Sequence, residues 1–67
     1  MTLDKMLGKI GKKRLPFKAG LAVACQFVSD NGGEIFEEDE SVKLTLNGEE
    51  AHCFQLYPDI DYFYYEC

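Results

Sequence analysis

His52 and Cys53, adjacent in the chain, and two further thiols, Cys25 and Cys67, are the residue types from which a zinc site or a thiol nucleophile is built. Zinc gathers Cys sulfur and His nitrogen around one point at about 2.0–2.3 Å. His52 and Cys53 fall in a stretch that reads as a strand, where neighbours point to opposite faces, so both reach one ion only across a bulge. A nucleophilic thiol needs an imidazole within hydrogen-bond reach and a third group to orient it. Cys25 on a helix could face His52 on a sheet, but a thiol in a core helix is buried and inert. No metal, no cofactor and no catalytic residue is expected. The odd number of thiols, with no C-x-x-C pair, implies no disulfide framework and points to a reduced, cytoplasmic protein.

Asp59 and Asp61 flank Ile60 and bring two carboxylates close together. The segment lacks the length and the glycine of a calcium loop, and turn formation accounts for both residues. Lys12-Lys13-Arg14, with Lys9 and Lys18 on either side, could contact phosphates. No glycine-rich loop or recognition motif accompanies these cations. The least easily dismissed set is at the C-terminal end. Tyr57, Tyr62 and Tyr64 are expected outside the core, near Asp59, Asp61, Glu66, Glu49 and Glu50, with Glu37, Glu38, Asp39 and Glu40 as a second acidic edge. Tyrosine offers contact area and a polar tip at little entropic cost, so tyrosines in an acidic field read as a protein-binding patch. The plainer reading packs them under the first helix or in a homodimer.

These residues are positioned by two helices and a meander. Leu3, Met6, Leu7 and Ile10 repeat at i, i+3, i+4 and i+7, the stripe of a short amphipathic helix that Thr2 can cap. Gly8 and Gly11 make it dependent on tertiary contacts. Pro16 opens a second helix whose Phe17, Leu21, Ala24 and Val28 share a face, widened by Val23 and Phe27; Gly32-Gly33 ends it. A short strand over 34–37 is followed by an acidic turn. Val42 to Leu46 alternates as a strand, Asn47-Gly48 is a hairpin turn, and 51–57 is its partner. Pro58 to Asp61 turns again before a last strand over 62–67.

The hairpin leaves a choice of register. A two-residue Asn47-Gly48 loop pairs Leu44 with Ala51 and Val42 with Cys53. It leaves Phe54 and Leu56 on the face of Lys43 and Thr45. An odd loop or a bulge instead puts Val42, Leu44, His52, Phe54 and Leu56 on one face, and the apolar pattern favours that arrangement. Phe63 and Tyr65 then join the core, and Cys53, Gln55, Tyr57, Tyr62 and Tyr64 line the other side.

The expected fold is therefore α+β: two N-terminal helices, short amphipathic then core, followed by a three- to four-stranded antiparallel β-meander. One domain of 67 residues comprises a basic helical arm (1–14), a core helix (16–31) and an acidic meander (34–67). A chain this short buries only about 60% of its unfolded surface. Its five Phe and four Tyr must be spent on packing, which leaves little room for a catalytic cleft. An enzyme is not expected. The net charge of −5 is unevenly divided. Residues 1–18 hold six cations against Asp4, a net +5, and residues 19–67 hold Lys43 against eleven carboxylates, a net −10. Lys12-Lys13-Arg14 followed by Leu21 to Cys25 faintly resembles a lipoprotein signal. Lys18 interrupts the apolar stretch, leaving Ala19 to Ala24, short of the roughly 7–15 residues required. No run approaches a membrane span.

The leading reading is a small acidic protein–protein interaction module with a basic partner and no membrane. It would act as an inhibitor that sets carboxylates into the basic site of a nucleic-acid-handling protein, the profile that phage and mobile-element inhibitors often show. No residue motif carries a family resemblance. The second reading is a nucleic-acid-binding regulator using Lys9, Lys12, Lys13, Arg14 and Lys18, less favoured because the acidic body repels phosphates. The third is a structural homo-oligomer joined through a strand edge or the tyrosine face.

Overall fold

The computed structural model describes residues 2–39, 41–57 and 60–66, with the backbone alone for Gln55, Leu56, Tyr57, Ile60 and Asp61. The element order is α1 (Leu3–Lys13), α2 (Phe17–Asp30), β1 (Glu34–Glu37), β2 (Val42–Leu46), β3 (Glu49–Tyr57) and β4 (Ile60–Glu66). The strands form one antiparallel sheet in the order β1-β2-β3-β4, and the expected α+β architecture stands with the fourth strand present.

The apolar stripe of α1 is docked: Leu3, Met6, Leu7 and Ile10 are all buried. The helix start is held twice. Thr2 Oγ1 accepts from the Lys5 N–H at 3.2 Å. From across the fold, the Glu49 carboxylate accepts from the N–H groups of Leu3 (3.1 Å) and Asp4 (3.4 Å). A carboxylate at a helix N-terminus satisfies orphan donors and meets the positive end of the helix dipole. Glu49, expected near the tyrosines, is thus a clamp for α1. The helix runs three residues beyond Ile10 and stops at Arg14, which adopts a left-handed conformation (φ 51°).

Gly20, Ala24 and Val28 form the buried line of α2. Between the helices, Leu15 lies at the β4 edge, where its carbonyl oxygen accepts the Phe63 N–H at 2.9 Å.

The β2–β3 hairpin corrects the expected register. Asn47 (φ 52°) and Gly48 (φ 84°) are both left-handed, as a two-residue type I′ turn requires. Val42 pairs with Cys53, Lys43 with His52 and Leu44 with Ala51. There is no odd loop. The irregularity falls instead between β3 and β4, where Gln55 pairs with Phe63 but Tyr57 with Ile60. The helix-side face of the sheet buries Leu44, Leu46, Ala51, Cys53 and Phe63. His52 and Phe54 are on the opposite face, not with Leu44, and Cys53 is in the core, not on the tyrosine face. Small residues at 51 and 53 let the helices approach the sheet closely, and large ones there would hold them off. Leu56 and Gln55 side chains lie outside the described residues. Ile60 and Asp61, expected in a turn, belong to β4.

Among the described residues no helix is long and apolar enough to cross a membrane.

Candidate binding surface

Directly paired residues share a face in an antiparallel sheet, so the register fixes what faces away from the helices. Phe36, Lys43, His52 and Glu66 run in a row across all four strands. Glu34, Thr45 and Glu50 form a second row. Phe54 pairs with Tyr64, and the pleat places Tyr62 on the same side. None of these residues is buried, whereas the buried strand residues all lie on the helix side. Among the described residues the sheet therefore has one face packed by helices and one, the bare face, that no helix covers and whose residues are half-buried to exposed.

The bare face has internal order. Phe54 and Tyr64 meet edge to face, with ring centroids 5.1 Å apart. Lys43 Nζ stands 4.9 Å from the Phe36 ring centroid and 4.0 Å from Glu50 Oε1. The His52 ring sits between two carboxylates, Nδ1 at 3.4 Å from Glu38 Oε1 and Nε2 at 3.5 Å from Glu50 Oε1. Ser41 Oγ donates to the same Glu38 oxygen at 3.1 Å. At the β4 side, the Arg14 guanidinium lies 5.7 Å over the Tyr62 ring, a cation–π distance. Among the described residues, four carboxylates (Glu34, Glu38, Glu50 and Glu66) and two cations, Lys43 and, at the β4 side, Arg14, occupy this face and its rim, so the surface is acidic on balance with an aromatic interior.

Of the residues expected to bind a partner, Tyr62 and Tyr64 are on this face, and Glu38 joins it through His52. Asp39 is exposed in the β1–β2 connection. Glu37 pairs with Val42 and so belongs to the helix side, where its charge acts on Cys25. Tyr57 and Asp61 are in β3 and β4 by backbone; their side chains, with Asp59 and Glu40, lie outside the described residues. Glu34, Phe36, Lys43, Thr45, His52 and Phe54 lie on the same face and were not among the expected binding residues; counting pairs back from the Asn47-Gly48 turn brings the last four together.

Cys25 is on the helix side and His52 on the bare side, so the imidazole is separated from the thiol by the sheet. Burial pushes the Cys25 thiol up from its ordinary value, and the Glu37 carboxylate adds to the shift. Among the described residues no cluster of His, Cys, Asp and Glu could hold a metal ion.

Lys9, Lys12, Lys13, Arg14 and Lys18 are all exposed. Among the described residues none of them forms an ion pair. They lie on the solvent side of α1, at the helix connection and at the start of α2, away from the acidic face except where Arg14 reaches Tyr62.

Compared with protein-family models, curated proteins and solved structures, this chain matches none.

Proposed function

We propose that this protein is an interaction module whose bare sheet face binds a basic surface of another protein. The observation that supports it is a four-stranded sheet with helices on one side only, its other side bearing Phe36, Phe54, Tyr62 and Tyr64 inside a rim of carboxylates. A small domain gains stability by covering apolar surface, and Phe36, exposed, with Phe54, Tyr62 and Tyr64, half-buried, would gain from a partner that covers them. The ring faces supply contact area, and the rim supplies steering and rejects acidic partners. Basic sites that receive phosphates accept carboxylates of this kind, so an inhibitor of a nucleic-acid-handling protein fits the chemistry.

The test is capture of a protein from host extract with matched variants. Glu50→Lys with Glu66→Lys, or Tyr64→Ala with Phe36→Ala, should lose a stoichiometric basic partner, and binding should weaken as salt rises. Val23→Ser, on the exposed side of α2, should keep it. A partner indifferent to both bare-face variants would show that this surface is not the interface.

The exposed cations of α1 and the helix connection, which form no ion pair among the described residues, favour a second reading, contact with phosphates. Its mark is nucleic-acid affinity that falls steeply with salt and drops when Lys12, Lys13 and Arg14 are replaced by Gln.

A further inference from the structure

The two edges of the sheet are treated differently. At β4 the Phe63 N–H is taken by the Leu15 carbonyl, so the helix connection occupies that edge at Phe63. No described element covers the outer edge of β1. All four residues of β1 are exposed, with Ile35 at 40% and Phe36 at 41%.

The bonding pattern of that edge follows from two fixed points. The Glu38 N–H donates to the Ser41 carbonyl at 2.8 Å, which makes Glu38 and Ser41 a hydrogen-bonded pair. Such pairs alternate along an antiparallel ladder, so Phe36–Lys43 and Glu34–Thr45 are bonded and Ile35–Leu44 and Glu37–Val42 are not. The Asn47-Gly48 turn gives the same answer from the other end, because it is closed by a bonded Leu46–Glu49 pair and alternation makes Leu44 and Val42 bond toward β3. The N–H and C=O groups of Ile35 and Glu37 therefore point away from the sheet.

Side chains decide what can pair there. On the bare side the edge shows Glu34, Phe36 and Glu38, two carboxylates around a ring; on the helix side it shows Ile35 and Glu37. An antiparallel second copy with Phe36 opposite Phe36 would set Glu34 against Glu38 of the other molecule and be repelled. An extended segment with cations on one face meets Glu34 and Glu38 with opposite charge, and apolar residues on its other face meet Ile35.

We propose that the β1 edge accepts an extended basic segment of a partner protein as an antiparallel fifth strand, bonded to the main chain of Ile35 and Glu37, with its cations against Glu34 and Glu38. Strand addition of this kind draws affinity from the main chain and selectivity from alternate side chains. The proposal rests on the reading of the bare face as an interface for a basic protein, and it extends that face by one strand.

The probe is a short synthetic peptide of alternating valine and lysine, added to the whole protein and followed by amide chemical shifts and fluorescence anisotropy. The Ile35, Phe36 and Glu37 amides should shift, and a valine–glutamate peptide should not bind. N-methylation at the valines removes the bonding donors and should weaken binding by about tenfold or more, whereas N-methylation at the lysines, which point to solvent, should leave it within about twofold. Ile35→Pro removes one outward donor and should give a comparable loss; the methylated peptides make the same test without altering the protein. Insensitivity to methylation at the valines overturns the proposal. Shifts confined to Phe54, Tyr62 and Tyr64 overturn the edge site and keep the bare face. Absence of binding to either region removes both for basic segments. A dimer of the protein alone, with its interface at β1, also overturns the proposal.

Discussion

Gly20 is packed so closely against Phe63 that a methyl group at Gly20 would fall 2.5 Å from the Phe63 Cβ and 2.6 Å from its Cγ. The ring of Phe63 is itself stacked against Phe17, with centroids 6.4 Å apart, and against Tyr65, at 6.2 Å. It has no room to retreat. Gly20→Ala should destabilise the fold by about 1–3 kcal/mol, the usual cost of overpacking, despite the better helix propensity of alanine. Urea denaturation measures it; unchanged stability would mean that α2 is free to lift from β4.

Gly8 and Gly11 are the opposite case. A Cβ at Gly8 would meet the Tyr65 hydroxyl at 3.5 Å, and one at Gly11 would meet the Tyr65 ring at 3.6 Å, both ordinary contacts. Gly8→Ala and Gly11→Ala should each stabilise by up to about 1 kcal/mol through lower chain entropy in the unfolded state. A raised melting temperature for both single variants checks this.

Glu49 joins the start of α1 to the hairpin through two charge-assisted hydrogen bonds. Glu49→Ala should cost about 1–2 kcal/mol, and the loss should appear first as faster amide exchange in α1 with β2 and β3 still protected. Uniform loss of protection would mean that α1 does not open separately from the sheet.

The Cys25 thiol is held above its ordinary value, first by burial and then by Glu37. At pH 8 it should therefore react with iodoacetamide more slowly than a free cysteine, with the rate still rising at higher pH. Glu37→Gln removes the smaller cause and should move the profile only part of the way down. The sign carries over to stability: the unfolded thiol ionises first, so folding is disfavoured as pH rises past the unfolded value.

The helices were legible because their signals are local. Thr2, the 3-6-7-10 stripe, Pro16 and Gly32-Gly33 each act within a few residues. The turn at Asn47-Gly48 was equally local and gave the register correctly by counting. It was the grouping of apolar residues that argued for a slip, on the premise that Phe54 belongs in the core with Leu44. That premise fails for a sheet with one bare face, where an aromatic can pack sideways on a cross-strand neighbour, as Phe54 does on Tyr64. Tyr62 and Tyr64 fall opposite the buried Phe63, as their alternation with it requires, but beside Phe54 and not beside Cys53. Glu49 was beyond reach, since its role depends on a helix start 46 positions away.

The hydrogen bond from Phe63 to Leu15 bears on stoichiometry. Growth of a ribbon needs two free ends on every unit. With the Phe63 N–H already taken by its own chain, β1 is the more open edge among the described residues. A ribbon growing through β1 would have to displace that bond at β4 to continue, which works against extension into a fibre.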